Sequence, residues 1–281
     1  MSWREAFSEL VREVQKAGVD DAAREARLIW EWATGRRYSD WLVRGGVIDP
    51  AAIATMRQAV ARRGQHEPWA YIVGHREFFG LDLLVTPDVL IPRPETEHLV
   101  EAVLADRPAD GQRVVDVGTG SGAIALALAF ERPQWRVVGV DVSELALRVA
   151  RRNAERLRLA VTFLRSDLLS QVADSVDVIA ANLPYVARSD RTPMELTYEP
   201  EVALYADAQG LSLITRLVFE SPRWLTDQGQ IFLECGAGQA PEICRQLDSA
   251  GYSGVAVRKD WAGLDRVVSA VWRPCGGGPH V

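Results

Sequence analysis

Cysteine and histidine are scarce in this 281-residue sequence, and neither is spaced for chemistry. The three cysteines, Cys235, Cys244 and Cys275, cannot all pair and show no CxxC spacing or histidine neighbours. That excludes a disulfide framework and a zinc site, and we read them as reduced thiols, two of them buried. His66, His75, His98 and His280 stand in unrelated contexts and read as surface or linker residues, so no metal is expected. No apolar run reaches about 18 residues without a charge or a breaker, which argues against a membrane span. The opening MSWREAFSEL also lacks the apolar core of a signal peptide, so a cytoplasmic protein is expected. A strong basic excess is missing as well. Net charge is −6, and the first 66 residues hold eleven Lys/Arg against nine Asp/Glu, so the acidic surplus lies in the remainder. This is far from the footprint of an autonomous nucleic-acid binder.

What is present is a globular chain, 48% hydrophobic and 25% charged, without internal repeats. The first 66 residues read as helices. Trp3, Phe7, Leu10, Val11 and Val14 fall at helical steps, and DDAAREARLIWEWATG ends at Gly35. A third helix is capped by Asp49, carries Pro50 in its first position, and stops at Gly64. Trp3, Trp30, Trp32, Trp41 and Trp69 lie in or beside this segment and read mostly as core aromatics. Trp135, Trp224, Trp261 and Trp272 are likewise assigned to packing, and Arg151 and Arg152 to a solvated helix face. After Pro68, EFFGLDLLVTPDVLIPRPETE predicts a hairpin-like linker. From about residue 96, seven apolar strand candidates (RVVDVG, RVVGVDV, VTFLRSD, VDVIAANLP, GQIFLEC, VAVRKD and RVVSAVWR) alternate with helical runs. The pattern predicts an α/β, doubly wound, Rossmann-like sheet preceded by a small all-α bundle, with ligands bound beyond the carboxyl ends of the strands. The expected divisions are 1–70, a linker 71–97, a catalytic domain 98–275 and a frayed tail 276–281.

The strongest local signal is VVDVGTGSGAIALALA at 114–129, a strand running into a glycine-rich turn and an Ala/Leu-rich helix. Gly118, Gly120 and Gly122, with Thr119 and Ser121 between them, let a ligand approach the backbone. Gly118, Gly120 and Ala123 also satisfy a dinucleotide pattern. Asp116, before the first glycine, disfavours a pyrophosphate and suits a cationic ligand such as S-adenosyl-L-methionine. Asp141 closes the next strand, where it can accept two bonds from vicinal ribose hydroxyls. Asp167 follows at the end of VTFLRSD, placed for an adenine edge. Either aspartate can also cap the helix after it.

The fourth strand ends in Asn182, Leu183, Pro184 and Tyr185. The Asn182 side-chain carbonyl and the Leu183 backbone carbonyl can accept the two N–H bonds of a planar NH2 group. Pro184 biases Leu183 toward an extended conformation, and Tyr185 can pack on the flat face of the substrate. The four residues describe a clamp for an amide or exocyclic amine, one that aims the nitrogen lone pair at a methyl sulfonium.

Taken together, EPWAYIVGHREFFGLDLLVTPDVLIPRPETE at 67–97, DVGTGSGAIALALA at 116–129, NLPYV at 182–186, YEPEVALYADAQGL at 198–211, FLECGAGQ at 232–239 and KDWAGLDRVV at 259–268 resemble the HemK/PrmC family, the peptide chain release factor glutamine N5-methyltransferases. The resemblance implies a roughly five-helix bundle that engages a class I release factor, then a seven-stranded domain with an antiparallel final strand. It implies methylation of the glutamine of a Gly-Gly-Gln motif in translation termination; a monomer is expected, and the charge argues against direct nucleic-acid contact. Gly118 through Gly122, Asp141 and Leu168 would meet the cofactor and Asn182 through Tyr185 the glutamine. Arg93, Thr96 and Glu97 look like walls of the active site, and Glu199 borders the substrate. One departure matters: the family's usual Asn-Pro-Pro-Tyr has Leu183 at its second place here. A ribosomal protein glutamine is the alternative substrate. A nucleic-acid adenine enzyme shares the clamp but fits the acidic charge poorly. A dehydrogenase lacks a placed Tyr-Lys or His pair, and an idle binding module would not need these residues intact.

Overall fold

The computed structural model describes residues 2–107, 109–187 and 193–274. Cys275, His280 and the expected tail lie outside the described residues. The chain divides into two compact units, Met1–Gly74 with Pro193–Tyr198, and His75–Thr192 with Glu199–Val281.

Five helices build the first unit: α1 (Trp3–Lys16), α2 (Ala22–Thr34), α3 (Tyr38–Arg44), α4 (Pro50–Arg63) and α5 (Trp69–Val73). Ser2 and Glu5 form a reciprocal capping box at the start of α1, and Asp21 and Asp49 cap α2 and α4. The predicted α1 stripe faces inward, with Trp3, Leu10 and Val14 buried and Phe7 and Val11 packed beside them. Trp3, Trp30 and Trp41 form the centre of this core, with ring centroids 5.3 to 6.5 Å apart. Gly35 takes the left-handed cap expected of it, φ +63°. Gly64 does not: its φ is −63°. Space is what favours glycine there, since a Cβ would stand 3.1 Å from the Ala17 methyl. Tyr198 joins this unit by donating its hydroxyl to the Gln65 carbonyl at 2.7 Å.

The second unit opens with the expected hairpin, β1 (His75–Phe78) against β2 (Leu81–Leu84). Then follow α6 (Glu97–Asp106), β3 (Arg113–Val117), α7 (Ala123–Glu131), β4 (Arg136–Asp141), α8 (Glu144–Leu157), β5 (Val161–Arg165) and β6 (Val176–Ala181). The chain continues through the short β7 (Val186–Ala187), α9 (Glu201–Leu204), β8 (Tyr205–Ala206) and α10 (Asp207–Gly210). It ends with α11 (Ser212–Glu220), β9 (Leu225–Glu234), α12 (Ala240–Ser249), β10 (Ser253–Lys259) and β11 (Asp265–Val271). All seven strand candidates enter one sheet in the order β10-β11-β9-β6-β3-β4-β5, with β11 antiparallel to both neighbours. The chain winds outward from β3 to β5, then returns to β6 on the other side of β3. This reversal opens a crevice at the carboxyl ends of β3, β4 and β6.

Apolar layers cover both faces of the sheet. Ala123 to Ala129 of α7 are all buried, which explains why that helix reads as apolar on every side. Asn153, fully buried in α8, clasps β2 by exchanging both backbone bonds with Leu84, at 2.7 and 3.0 Å. One packing assignment fails. Trp261 is 91% exposed, at the turn between β10 and β11, with the His98 ring 5.5 Å away. Trp135 is buried as expected. Cys235 is buried and Cys244 partly so. Among the described residues no helix is long and apolar enough to cross a membrane, and no His/Cys/Asp/Glu group is placed to hold a metal.

Candidate active site

A cleft of about 760 Å³, its open mouth included, lies at the crevice. Gly118, Gly120, Asp141, Asp167, Leu168 and Asn182 are among the residues that line it, together with Leu183 and Pro184. The structure thus brings eight of the seventeen sequence-predicted residues to the lining of one cleft.

One of them, Asp141, holds the glycine turn itself. Asp141 accepts from the Gly120 N–H at 2.9 Å through one carboxylate oxygen and from the Ser143 N–H at 2.8 Å through the other. Gly120 reaches this bond with φ +55°, a conformation costly for a side chain. Burial raises the Asp141 carboxyl, and these backbone donors oppose the shift. Asp167 is half in solvent and forks onto Arg216 at 3.0 and 3.2 Å. Leu168 is buried with φ +46°, a left-handed leucine that no sequence pattern announces.

Asp116 occupies a different place from the one expected. It is fully buried and is not among the lining residues. One oxygen accepts from the Thr119 hydroxyl at 2.6 Å and from the Ala125 N–H at 3.1 Å, so it ties the turn to the first turn of α7. Its other oxygen has no partner among the described residues, and burial pushes its carboxyl up to about 7. Thr119 and Ser121 are buried too. They shape the turn from behind, Ser121 through its carbonyl to Asn153 at 3.0 Å.

At the end of β6, Asn182 donates its Nδ2 to the Thr96 hydroxyl oxygen at 2.9 Å. In this orientation the nitrogen faces the linker and Oδ1 is left as an acceptor. Leu183 is buried, its Cδ2 3.0 Å from where a Cβ on Gly118 would sit. Tyr185 donates its hydroxyl to Glu234 Oε1 at 3.3 Å, and burial raises that hydroxyl above the ordinary tyrosine range. Gln239 fixes the Tyr185 carbonyl at 3.0 Å.

The linker residues divide. Arg93 pairs with the buried Glu199, whose second oxygen accepts from the Ile91 N–H at 3.0 Å, so this carboxylate serves the 91–93 segment. Glu97 turns away from the cleft and accepts from the Phe79 N–H at 2.9 Å, closing the hairpin turn. The residue that sequence reasoning overlooked is Glu234. It is 1% exposed at the end of β9, and burial pushes its carboxyl up to about 7 against the neighbouring Thr96, Arg266 and Tyr185. A charge closing an apolar strand, FLE, was the available signal.

Two family descriptions match the chain: PrmC N-terminal domain over residues 5–74, and Methyltransferase small domain over 94–198. The release factor glutamine methyltransferase of Lactococcus lactis subsp. lactis is 37% identical over 276 residues, 96% of this chain and 99% of the relative. That of Neisseria gonorrhoeae is 42% identical, covering 86% and 91%. Among solved structures, the hMettl16 catalytic domain in complex with MAT2A 3′UTR hairpin 6 superposes with a TM-score of 0.58 at 17% identity, over 84% of this chain and 92% of that one. A methyltransferase from Pyrococcus furiosus gives 0.54 at 22%, over 69% and 89%. At those identities the likeness speaks for the fold.

Proposed function

The chain belongs to the release factor glutamine methyltransferase family, and we propose that Asn182 Oδ1 and the Leu183 carbonyl are the two acceptors that hold the substrate carboxamide. The enzyme methylates a release factor glutamine, with S-adenosylmethionine as donor. The relatives' shared name favours this substrate over the ribosomal-protein alternative. The residues fit the cofactor. Asp141 keeps free lone pairs on both oxygens beyond its two backbone donors, and the turn at Gly118 and Gly120 lines the cleft without side chains. Gly118, Gly120, Asp141 and Leu168 would hold it, with Asp167 at the rim and Asp116, Thr119, Ser121 and Gly122 shaping the turn. When bound, the cofactor supplies an electrophilic methyl group.

Everything else is the work of the chain. An amide nitrogen is a poor nucleophile because its lone pair is delocalised. Two fixed acceptors on its N–H bonds hold the nitrogen in one orientation, which replaces much of the entropic cost of a two-substrate displacement. The proton becomes acidic only as the new carbon–nitrogen bond forms, so amide oxygens suffice as acceptors and no strong base is required. Pro184 holds Leu183 extended, and Tyr185 closes the clamp. The target is read as the glutamine of a Gly-Gly-Gln motif in class I release factors, engaged by the helical unit. A cytoplasmic monomer is part of this reading, and the acidic net charge speaks against direct nucleic-acid contact.

The observation that carries this reading is the Asn182–Thr96 bond, which engages Nδ2 and leaves Oδ1 an acceptor on a residue that lines the cleft with Gly118 and Gly120. The test is tritiated methyl transfer into a release factor and into its Gly-Gly-Ala counterpart. Label is expected only in the first. Equal label in both removes the glutamine assignment.

A further inference from the structure

Beside Asn182 stands a carboxylate that the reaction as described does not use. β9 runs parallel to β6 with Leu233 opposite Ala181, so Glu234 and Asn182 leave neighbouring strands at the same level. Glu234 is almost wholly buried, and its Oε2 has no partner among the described residues. Nor does the nearby cation neutralise it in an ion pair, because the Arg266 guanidinium is committed to Asp260 at 3.0 and 3.2 Å and to the Cys235 carbonyl at 3.3 Å. An incompletely paired buried carboxylate opposes folding. Methionine would fill the same space without that penalty.

The carboxylate reaches one side chain of the clamp directly and the other only through Thr96. It accepts from the Tyr185 hydroxyl directly. The Thr96 hydroxyl lies beside it, and the oxygen of that hydroxyl accepts from Asn182 Nδ2. A hydroxyl has one hydrogen. Directed at Glu234, it leaves Thr96 only an acceptor toward Asn182, and the amide must present Nδ2 inward and Oδ1 to the cleft. Without the carboxylate the hydrogen is free to turn to Asn182 Oδ1. The flipped amide would then offer N–H donors to a substrate that also brings N–H donors.

We propose that Glu234 is a positioning residue for methyl transfer, fixing Tyr185 by its hydroxyl and the Asn182 amide through Thr96. The proposal rests on Asn182 being the carboxamide acceptor. Its logic is that of a carboxylate that selects a histidine tautomer, applied to an asparagine flip.

The experiment compares wild type, Glu234→Met, Glu234→Gln and Thr96→Val in methylation of a Gly-Gly-Gln release factor, with cofactor affinity by calorimetry and thermal midpoint alongside. Glu234→Met should lower kcat about 10–100-fold. Its cofactor Kd should stay within a few-fold, and its midpoint should hold or rise, a combination that a purely structural role would not give. Glu234→Gln keeps one carbonyl acceptor and should recover part of the rate. Thr96→Val should lower kcat on its own, and adding Glu234→Met to it should cost less than Glu234→Met costs alone. Wild-type kcat in Glu234→Met, or a rate loss matched by loss of cofactor binding, overturns the proposal. Should Glu234→Met not fold, wild-type kcat in Thr96→Val overturns it as well. Failure of the wild type to discriminate Gly-Gly-Gln from Gly-Gly-Ala would instead refute the glutamine reading beneath it.

Discussion

Leu183 packs onto the glycine turn: its Cδ2 lies 3.0 Å from the position a Cβ on Gly118 would take. The residue that departs from the family's usual proline therefore closes against the bare backbone of the glycine turn. Gly118 also sits at φ +74°. Alanine there meets a left-handed penalty of about 1–2 kcal/mol before any clash is counted. Gly118→Ala should lower the thermal midpoint and weaken cofactor binding at least tenfold by calorimetry. Trimming Leu183 to alanine in the same chain relieves the clash and leaves the backbone penalty, so only part of the loss should return. Full recovery would show that the positive φ carries no cost.

Asn182 separates binding from chemistry. Asn182→Ala removes the acceptor proposed for the substrate carboxamide, so turnover should fall by about 10²–10³-fold, as when one preorganised hydrogen bond of an oxyanion hole is lost. Cofactor affinity should change no more than a few-fold. Single-turnover methylation and calorimetry on the same preparation check this, and equal losses in both would contradict the clamp.

The sequence shows the sheet almost completely, because a buried parallel strand must be an apolar run and its ligand residue must follow the run's last apolar position. Asp141 and Asn182 were readable for that reason. Side-chain direction was not readable. Asp116 and Asp141 both close strands, yet one turns beneath the loop to Ala125 and the other meets Gly120. The family resemblance sets Glu97 on the active-site wall, whereas its carboxylate accepts from the Phe79 N–H. Trp261 carries the same apolar ring as Trp135, and only the turn between β10 and β11 leaves it in solvent. Glu234 needed knowledge of strand order, since β9 lies beside β6 although some 50 residues of chain separate their ends.

Asp116 makes stability depend on pH. Its carboxyl is raised from 3.8 to about 7 by burial. The folded state therefore holds a proton that the unfolded chain releases near pH 4, and the stabilisation is present below that pH and lost as pH rises through about 7. Each unit of displacement is worth about 1.4 kcal/mol. Urea unfolding between pH 4.5 and 8 should show the wild type losing stability relative to Asp116→Asn as pH increases. A constant difference across that range would mean that Asp116 is ionised in the fold throughout.

The pair between Arg93 and Glu199 should respond asymmetrically to removal of either partner. Glu199 is buried while Arg93 retains about a third of its exposure, 32% of the side chain against 1%. Arg93→Met strands a buried carboxylate that keeps only the Ile91 N–H, at a cost of about 3–5 kcal/mol. Glu199→Gln leaves a guanidinium that can turn to water and keeps an acceptor for Ile91, so its cost should be that of one charge-assisted bond, about 1.5–3 kcal/mol. Equilibrium unfolding of the two variants gives the order directly. Because Pro200, Val202 and Ala203 line the cleft immediately after Glu199, Arg93→Met should also weaken cofactor binding more than Glu199→Gln does. The reverse order in both measurements would show that the segment is held by contacts other than this ion pair.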